Sequence, residues 1–180
     1  MSDKRIVSVF LVIDASIARA AGGFESKHPI GSMCRDVLSR VLGICHRMAF
    51  GQRMEEEWNR HESLFARTWL VKMMSMNKLV RVDDEPDPAH LETIQQFGGN
   101  PGVVEVMEKD THLLAGAIRT AHRILSLDDK MRNHFATKFR AHDDVMALVW
   151  VNPTIPEEEA IEWLNEGAPI DARRTLERRI

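Results

Sequence analysis

The sequence predicts an α/β fold built on a covered, mainly parallel sheet of about five strands. Three observations carry that expectation. Short apolar runs recur along the chain, segments of helical periodicity separate them, and the first run, Ile6 to Ile13, is continuously apolar and rich in β-branched residues. Strand and helix in alternation mark parallel βαβ units. The first run is therefore expected to lie centrally. After the Gly22-Gly23 break and a loop through Pro29, a helix is predicted from about Ser32 to His46, where Met33, Val37, Leu38, Val41, Leu42 and Cys45 recur at helical spacing. Met48 to Phe50 reads as a second strand. The run MEEEWNRHESLFARTWLVKMM reads as one or two helices turning Trp58, Leu64, Phe65, Trp69 and Met73 inward. Leu79 to Val82 supplies a third strand. DDEPDPAH follows, and with its prolines among clustered acids it reads as a solvated loop rather than a cation site. A helix starting at about Asp110 carries Leu113, Leu114, Ala117, Ile118 and Ala121 on one face. Arg123 to Leu127 and Val145 to Val151 are further strands around a helix from Lys130 to Phe139. Pro156 opens a last helix whose acids, Glu157 to Glu159, complement its dipole, and Gly167 and Pro169 end it.

The 180 residues, 44% hydrophobic and 28% charged, suit one globular domain spanning 1–180, with no repeat or linker to divide it. Cys34 and Cys45 fall in one predicted helix, as reduced core thiols of a cytoplasmic protein would. The apolar run at the start is too short to span a bilayer and lacks a signal-peptide cleavage region, so no membrane partner is expected. A net charge of −3 gives no broad basic field. Nucleic acid would need a local patch, from Arg119 and Arg123, Lys130 and Arg132, Lys138 and Arg140, or the tail residues Arg173, Arg174, Arg178 and Arg179. The mixed charge of that tail reads first as a solvated helix.

Four acids carry the chemistry. Asp14 closes IVSVFLVID, Glu57 lies in MEEEW, Asp110 opens DTHLLAGAI and Asp128 closes RILSLD. Taken singly, each has an ordinary reading. Asp14, Asp110 and Asp128 each precede a predicted helix and could cap it, while Glu57 sits in a run of acids where Glu56 could equally turn inward. Jointly they say more, because Asp14 and Asp128 end strands on the edge where parallel sheets bind ligands. Carboxylates gathered there need a countercharge. Oxygen ligands favour Mg²⁺ or Mn²⁺, which can polarise a phosphate and generate hydroxide at neutral pH.

These segments resemble the PIN-domain family of metal-dependent ribonucleases. The match runs in order through an apolar run ending in D-A-S at Asp14, an acid after the second strand at Glu57, D-x-x-L-x-x-x-A at Asp110, Leu113 and Ala117, and S-x-D at Ser126 and Asp128. It covers about residues 6 to 151. The resemblance implies a three-layer α/β/α sandwich, a single-stranded RNA or other nucleic-acid substrate, and Asp14, Glu57, Asp110 and Asp128 as ligands of Mg²⁺ or Mn²⁺, with Ser126 positioning a ligand or water. An antitoxin or other protein partner and a homodimer are expectations of the same kind. Against the compact toxin forms of the family, a helical insertion near 59–77 and a C-terminal helical extension over 155–180 stand out. Asp129 competes with Asp128 for the S-x-D register, and spacing favours Asp128. A PIN-like module without catalysis, docking protein or RNA through the insertion, is the alternative.

Other chemistries find less support. The eight histidines, among them His61, His112, His122 and His134, show no H-E-x-x-H or Cys/His spacing, which argues against zinc. His112 reads as an exposed or hydrogen-bonded helix histidine before a substrate-facing one. DASIARAAGG lacks both G-x-G-x-x-G and the P-loop lysine, and no G-x-S-x-G elbow surrounds Ser16. Trp58, Trp69, Trp150 and Trp163 read as core rather than as base-stacking platforms.

Overall fold

Five short strands form the sheet: β1 (Phe10–Ile13), β2 (Arg47–Phe50), β3 (Leu79–Arg81), β4 (Arg123–Leu125) and β5 (Val149–Val151). They come from a computed structural model that describes residues 7–120 and 122–179. Every pairing between these strands is parallel, in the order β3-β2-β1-β4-β5. β1 lies at the centre, as its composition predicts, with Leu11, Val12 and Ile13 fully buried.

The helices are α1 (Ala15–Ala20), α2 (Pro29–Gly43), α3 (Gln52–His61), α4 (Leu64–Ser75), α5 (Pro88–Phe97), α6 (Pro101–Ile118), α7 (Asp129–Lys138), α8 (Asp143–Met146) and α9 (Ala160–Asn165). α1, α2 and α4 pack on one another and α9 on α2, whereas α6 lies across β1, β2 and β4 with α5, α7 and α8 around it. The chain order explains the two layers. β1, β2 and β3 step in one direction and β4 returns to the far side of β1, so right-handed crossovers put the helices between β3 and β5 on the opposite face, while α9, which follows the last strand, returns to α2. The expected α/β architecture with five parallel strands is the observed one. All four tryptophans are buried. Among the described residues no helix is long and apolar enough to cross a membrane.

Several boundaries differ from expectation for local reasons. The first strand begins only at Phe10, because β2 starts opposite it, and Val7 is 74% exposed. Ile6 and Ala121, both counted above in apolar patterns, lie outside the described residues. α2 starts at Pro29, where the fixed φ of proline suits a first helical position. The helix ends at Gly43, where Ile44 turns extended, and so stops before Cys45, which is exposed, as is Met33, while Cys34 is buried. Leu64 opens α4 just after the Ser63 cap and is 63% exposed rather than inward-facing. DDEPDPAH is not all loop, since Asp87 caps α5 through Ala89 N–H and Pro88 begins it. α6 begins at Pro101 after the Asn100 cap, well before Asp110. Val145 and Met146 belong to α8 rather than to the last strand.

The C-terminal segment is packed in part: Arg174, Thr175 and Leu176 are buried, whereas Arg173, Glu177 and Arg178 are exposed. Pro156–Glu158 is a 3-10 turn, and Glu159 then takes a left-handed conformation (φ 45°) before α9. Glu158 is buried, ion-paired to Arg132 at 2.5 Å and accepting from Asn152 N–H at 2.7 Å, so it does not serve as a solvated dipole charge. Thr175 forms an antiparallel bridge to Val149.

Candidate functional site

The strand order reverses between β1 and β4, and open α/β sheets form a ligand crevice outside the carboxyl ends of such a pair. Asp14 follows β1 directly, and its N–H donates to Leu125 O of β4 at 2.9 Å. Its carboxylate is mostly buried. Oδ2 accepts from Ser126 Oγ at 2.7 Å and from Ser16 Oγ, while Oδ1 takes no hydrogen bond from the described residues. The two serines in turn accept backbone N–H groups, Ser126 from Asp128 at 3.1 Å and Ser16 from Leu127 at 3.2 Å. One carboxylate oxygen therefore ties the β1 and β4 loops together and the other stays available. Although Asp14 precedes α1, its side chain makes no capping bond.

Asp128 does cap. Its Oδ1 accepts from Met131 N–H at 2.7 Å at the start of α7, and the residue lines the crevice all the same. Asp129 turns away, within 3.4 Å of Arg132 and 3.1 Å of Asn152 Nδ2. On α3, Glu56 is exposed and accepts from Gln52, whereas Glu57 faces the crevice, with Oε1 3.4 Å from Lys109 Nζ and Oε2 3.6 Å from His112 Nε2. Asp110 arrives from within α6. It is neither a helix start nor a cap, and the part of its case that rested on a helix start falls away.

All four acids line one small cleft of about 140 Å³, together with Ser16, Arg19, His61 and Lys109. Burial pushes the Asp110 carboxyl up to about 7, and the negative charges of Asp14, Glu57 and Asp128 add to the shift against the opposing Lys109. No three of the four acids bring ligand oxygens within 4.8 Å of one another. A larger cavity of about 290 Å³ adjoins the cleft at Asp128, walled by Val103, Val106 and Met131 with Asn100, Lys130 and His134 at its polar margin.

Sequence reasoning missed the residues that hold the acids in place. Asp84, within the supposed solvated loop, is buried and accepts from Arg53 N–H at 3.2 Å and Met54 N–H at 2.9 Å, closing the free end of α3. Gly51 makes that approach possible, since a Cβ there would lie 2.0 Å from Asp84 Cγ. Trp58 Nε1 donates to Ile13 O at 2.8 Å, pinning α3 beside the end of β1. His112 is buried, and its Nδ1 lies 2.8 Å from Lys109 O, an acceptor, so Nδ1 carries the proton and Nε2 faces Glu57. Four members of the expected basic patches are spent on structure, while Lys130, Arg140, Arg173 and Arg178 are exposed. Arg132 and Arg174 are buried, Arg119 donates to Asp83 O and Glu85 O, and Arg123 donates to Ala168 O. Arg19 and Lys109 reach the cleft instead; the adjacency of Lys109 to Asp110 was the available signal.

No family model, curated protein or solved structure matches the chain. The likeness to PIN domains rests on the motif residues alone.

Proposed function

We propose that the protein is a Mg²⁺- or Mn²⁺-dependent endoribonuclease that hydrolyses phosphodiester bonds of single-stranded RNA at this cleft. The observation that carries the reading is the convergence of Asp14, Glu57, Asp110 and Asp128, from four separate elements, at the reversal point of the sheet. The donor set fits a hard divalent cation, being all oxygen, with Asp14 Oδ1 uncommitted. When bound, such an ion would neutralise the carboxylates, polarise the scissile phosphate and activate water. The chain's own residues supply the rest. Ser16 and Ser126 orient Asp14; Asp110 holds a proton near neutrality that it must release as countercharge arrives; Arg19 and Lys109 attract the phosphate backbone. The adjoining cavity at Asp128 has the apolar walls and polar margin that suit a flanking base.

A second reading, a PIN-like interaction module without catalysis, is favoured by one observation. Leu64, Val71, Met74 and Met76, on α4 and at its end, are all more than half exposed. Cleavage of single-stranded RNA with and without Mn²⁺, in the wild type and in Asp14→Ala, separates the two. Metal-dependent cleavage that drops at least about a hundredfold in the variant is expected. Metal-independent cleavage or equal rates in both proteins would sink the nuclease reading, and no cleavage of any nucleic acid supports the module.

A further inference from the structure

Away from the acidic cleft, His90, His142 and Asp144 meet where α5 packs against the α7–α8 corner. His90 lies in the first turn of α5, His142 immediately precedes α8 and Asp144 lies within it. Each offers one ligand atom, and the three atoms all lie within 4.8 Å of one another, the one such grouping among the described residues. His90 Nε2 and Asp144 Oδ2 stand 3.3 Å apart. Around a tetrahedral ion with bonds of about 2.0–2.1 Å, neighbouring ligand atoms are separated by about 3.3–3.4 Å, so this pair already stands at coordination spacing. The same two atoms form a direct ion pair, which a bound ion would replace.

Packing fixes both rings. Phe139 stacks edge-on to His90 at 5.4 Å and tilted to His142 at 5.2 Å, and the two imidazoles are themselves 5.2 Å apart. Thr93 Oγ1, 2.7 Å from His142 Nε2, holds that imidazole through a hydrogen bond of the kind that sets the tautomer of a coordinating histidine. His90 is buried and His142 half-buried, while Asp144 is exposed and opens a path from solvent. Two imidazoles and one carboxylate form a borderline-soft set suited to zinc, unlike the all-oxygen cleft.

We infer that His90, His142 and Asp144 form a zinc site in which three protein ligands leave the fourth position to water and the ion ties α5 to the α7–α8 corner. The absence of H-E-x-x-H or Cys/His spacing, which argued against zinc in the sequence, misses this grouping because His90 comes from α5 while only His142 and Asp144, two residues apart at the start of α8, are neighbours in the chain. The inference is independent of the nuclease reading.

The test titrates Zn²⁺ calorimetrically into the chelator-stripped full chain and, in parallel, follows the visible bands of Co²⁺. One Zn²⁺ per chain, tetrahedral Co²⁺ bands displaced by Zn²⁺, and affinity at least about tenfold weaker in both His142→Ala and Asp144→Ala are expected. Asp144→Ala alters an exposed side chain and decides the matter if His142→Ala fails to fold, as judged by circular dichroism. No Zn²⁺ binding, or binding of undiminished affinity in Asp144→Ala, overturns the site.

Discussion

At the scale of single residues, Asp110 is the group under greatest stress. Its carboxyl is raised from 3.8 to about 7, first by burial and then by the charges of Asp14, Glu57 and Asp128. The folded state thus binds a proton that the unfolded state has already lost between about pH 4 and pH 7. Stability falls as pH rises through that window, by on the order of 4 kcal/mol once both states are ionised. Asp110→Asn removes the charge and keeps the shape. The metal-free variant should melt higher than wild type at pH 8 and nearly equal to it at pH 5. Mn²⁺ should raise the melting temperature of the wild type at pH 8 and do so far less in the variant. A variant no more stable than wild type at pH 8 would show that the like charges are not in tension. Tension of this kind is invisible in sequence. Asp110 was found through D-x-x-L-x-x-x-A spacing, and the helix start invoked for it proved to lie at Pro101.

At the scale of elements, the ends of helices decided what could be read. Strands were legible because continuous apolar runs have few other uses in a chain of this composition, and each expected run overlaps an observed strand. Helix starts were misread at Pro29, Pro88 and Pro101, where a proline serves as the first helical residue, since proline also marks loops, although the same signal was read correctly as a helical start at Pro156. Asp84 shows the same ambiguity from the other side, as an acid in a Pro-rich run that caps a helix distant in sequence. Asp84→Ala leaves Arg53 and Met54 N–H groups without their acceptor and should cost about 1–2 kcal/mol in denaturant unfolding. If α3 carries Glu57 into a working site, the same variant should slow cleavage, and Asp84→Asn, which keeps the oxygen acceptor, should recover part of both. Gly51→Ala should be worse than Asp84→Ala for stability, because the added Cβ meets Asp84 Cγ at 2.0 Å and neither backbone can withdraw without moving the helix. Equal stability of Gly51→Ala and wild type would rule out the close approach.

At the scale of the whole molecule, alternation of strand and helix sufficed for the parallel sheet, but nothing in it revealed how the last strand is protected. β5 is an edge strand, and edges invite pairing with other chains. The tail answers this by pairing, Thr175 with Val149 and Leu176 N–H with Leu148 O, and it is held there by Arg174, whose guanidinium donates to Glu158 O at 2.6 Å. Glu158 is the hub. Its carboxylate also reaches Arg132 on α7 and Asn152 N–H, and Asn152 Nδ2 donates to Leu127 O in the loop that carries Asp128. The mixed-charge tail was thus misread in part, because Arg174 finds a buried acceptor, Glu158 O, that only the tertiary fold supplies, while Arg173 and Arg178 are exposed as a solvated tail would have them. Removing one partner of a buried pair costs more than the pair is worth, since the other charge stays desolvated. Glu158→Ala should therefore destabilise the chain by about 3–5 kcal/mol in urea unfolding, expose the β5 edge and promote self-association detectable by light scattering. Because the same hub steadies the Leu127–Asp128 loop, hydrogen exchange at Asp128 and Asp129 should quicken together with that at Leu176. A loss below about 1 kcal/mol with unchanged exchange in both places would mean that the tail and the acidic cleft are held independently.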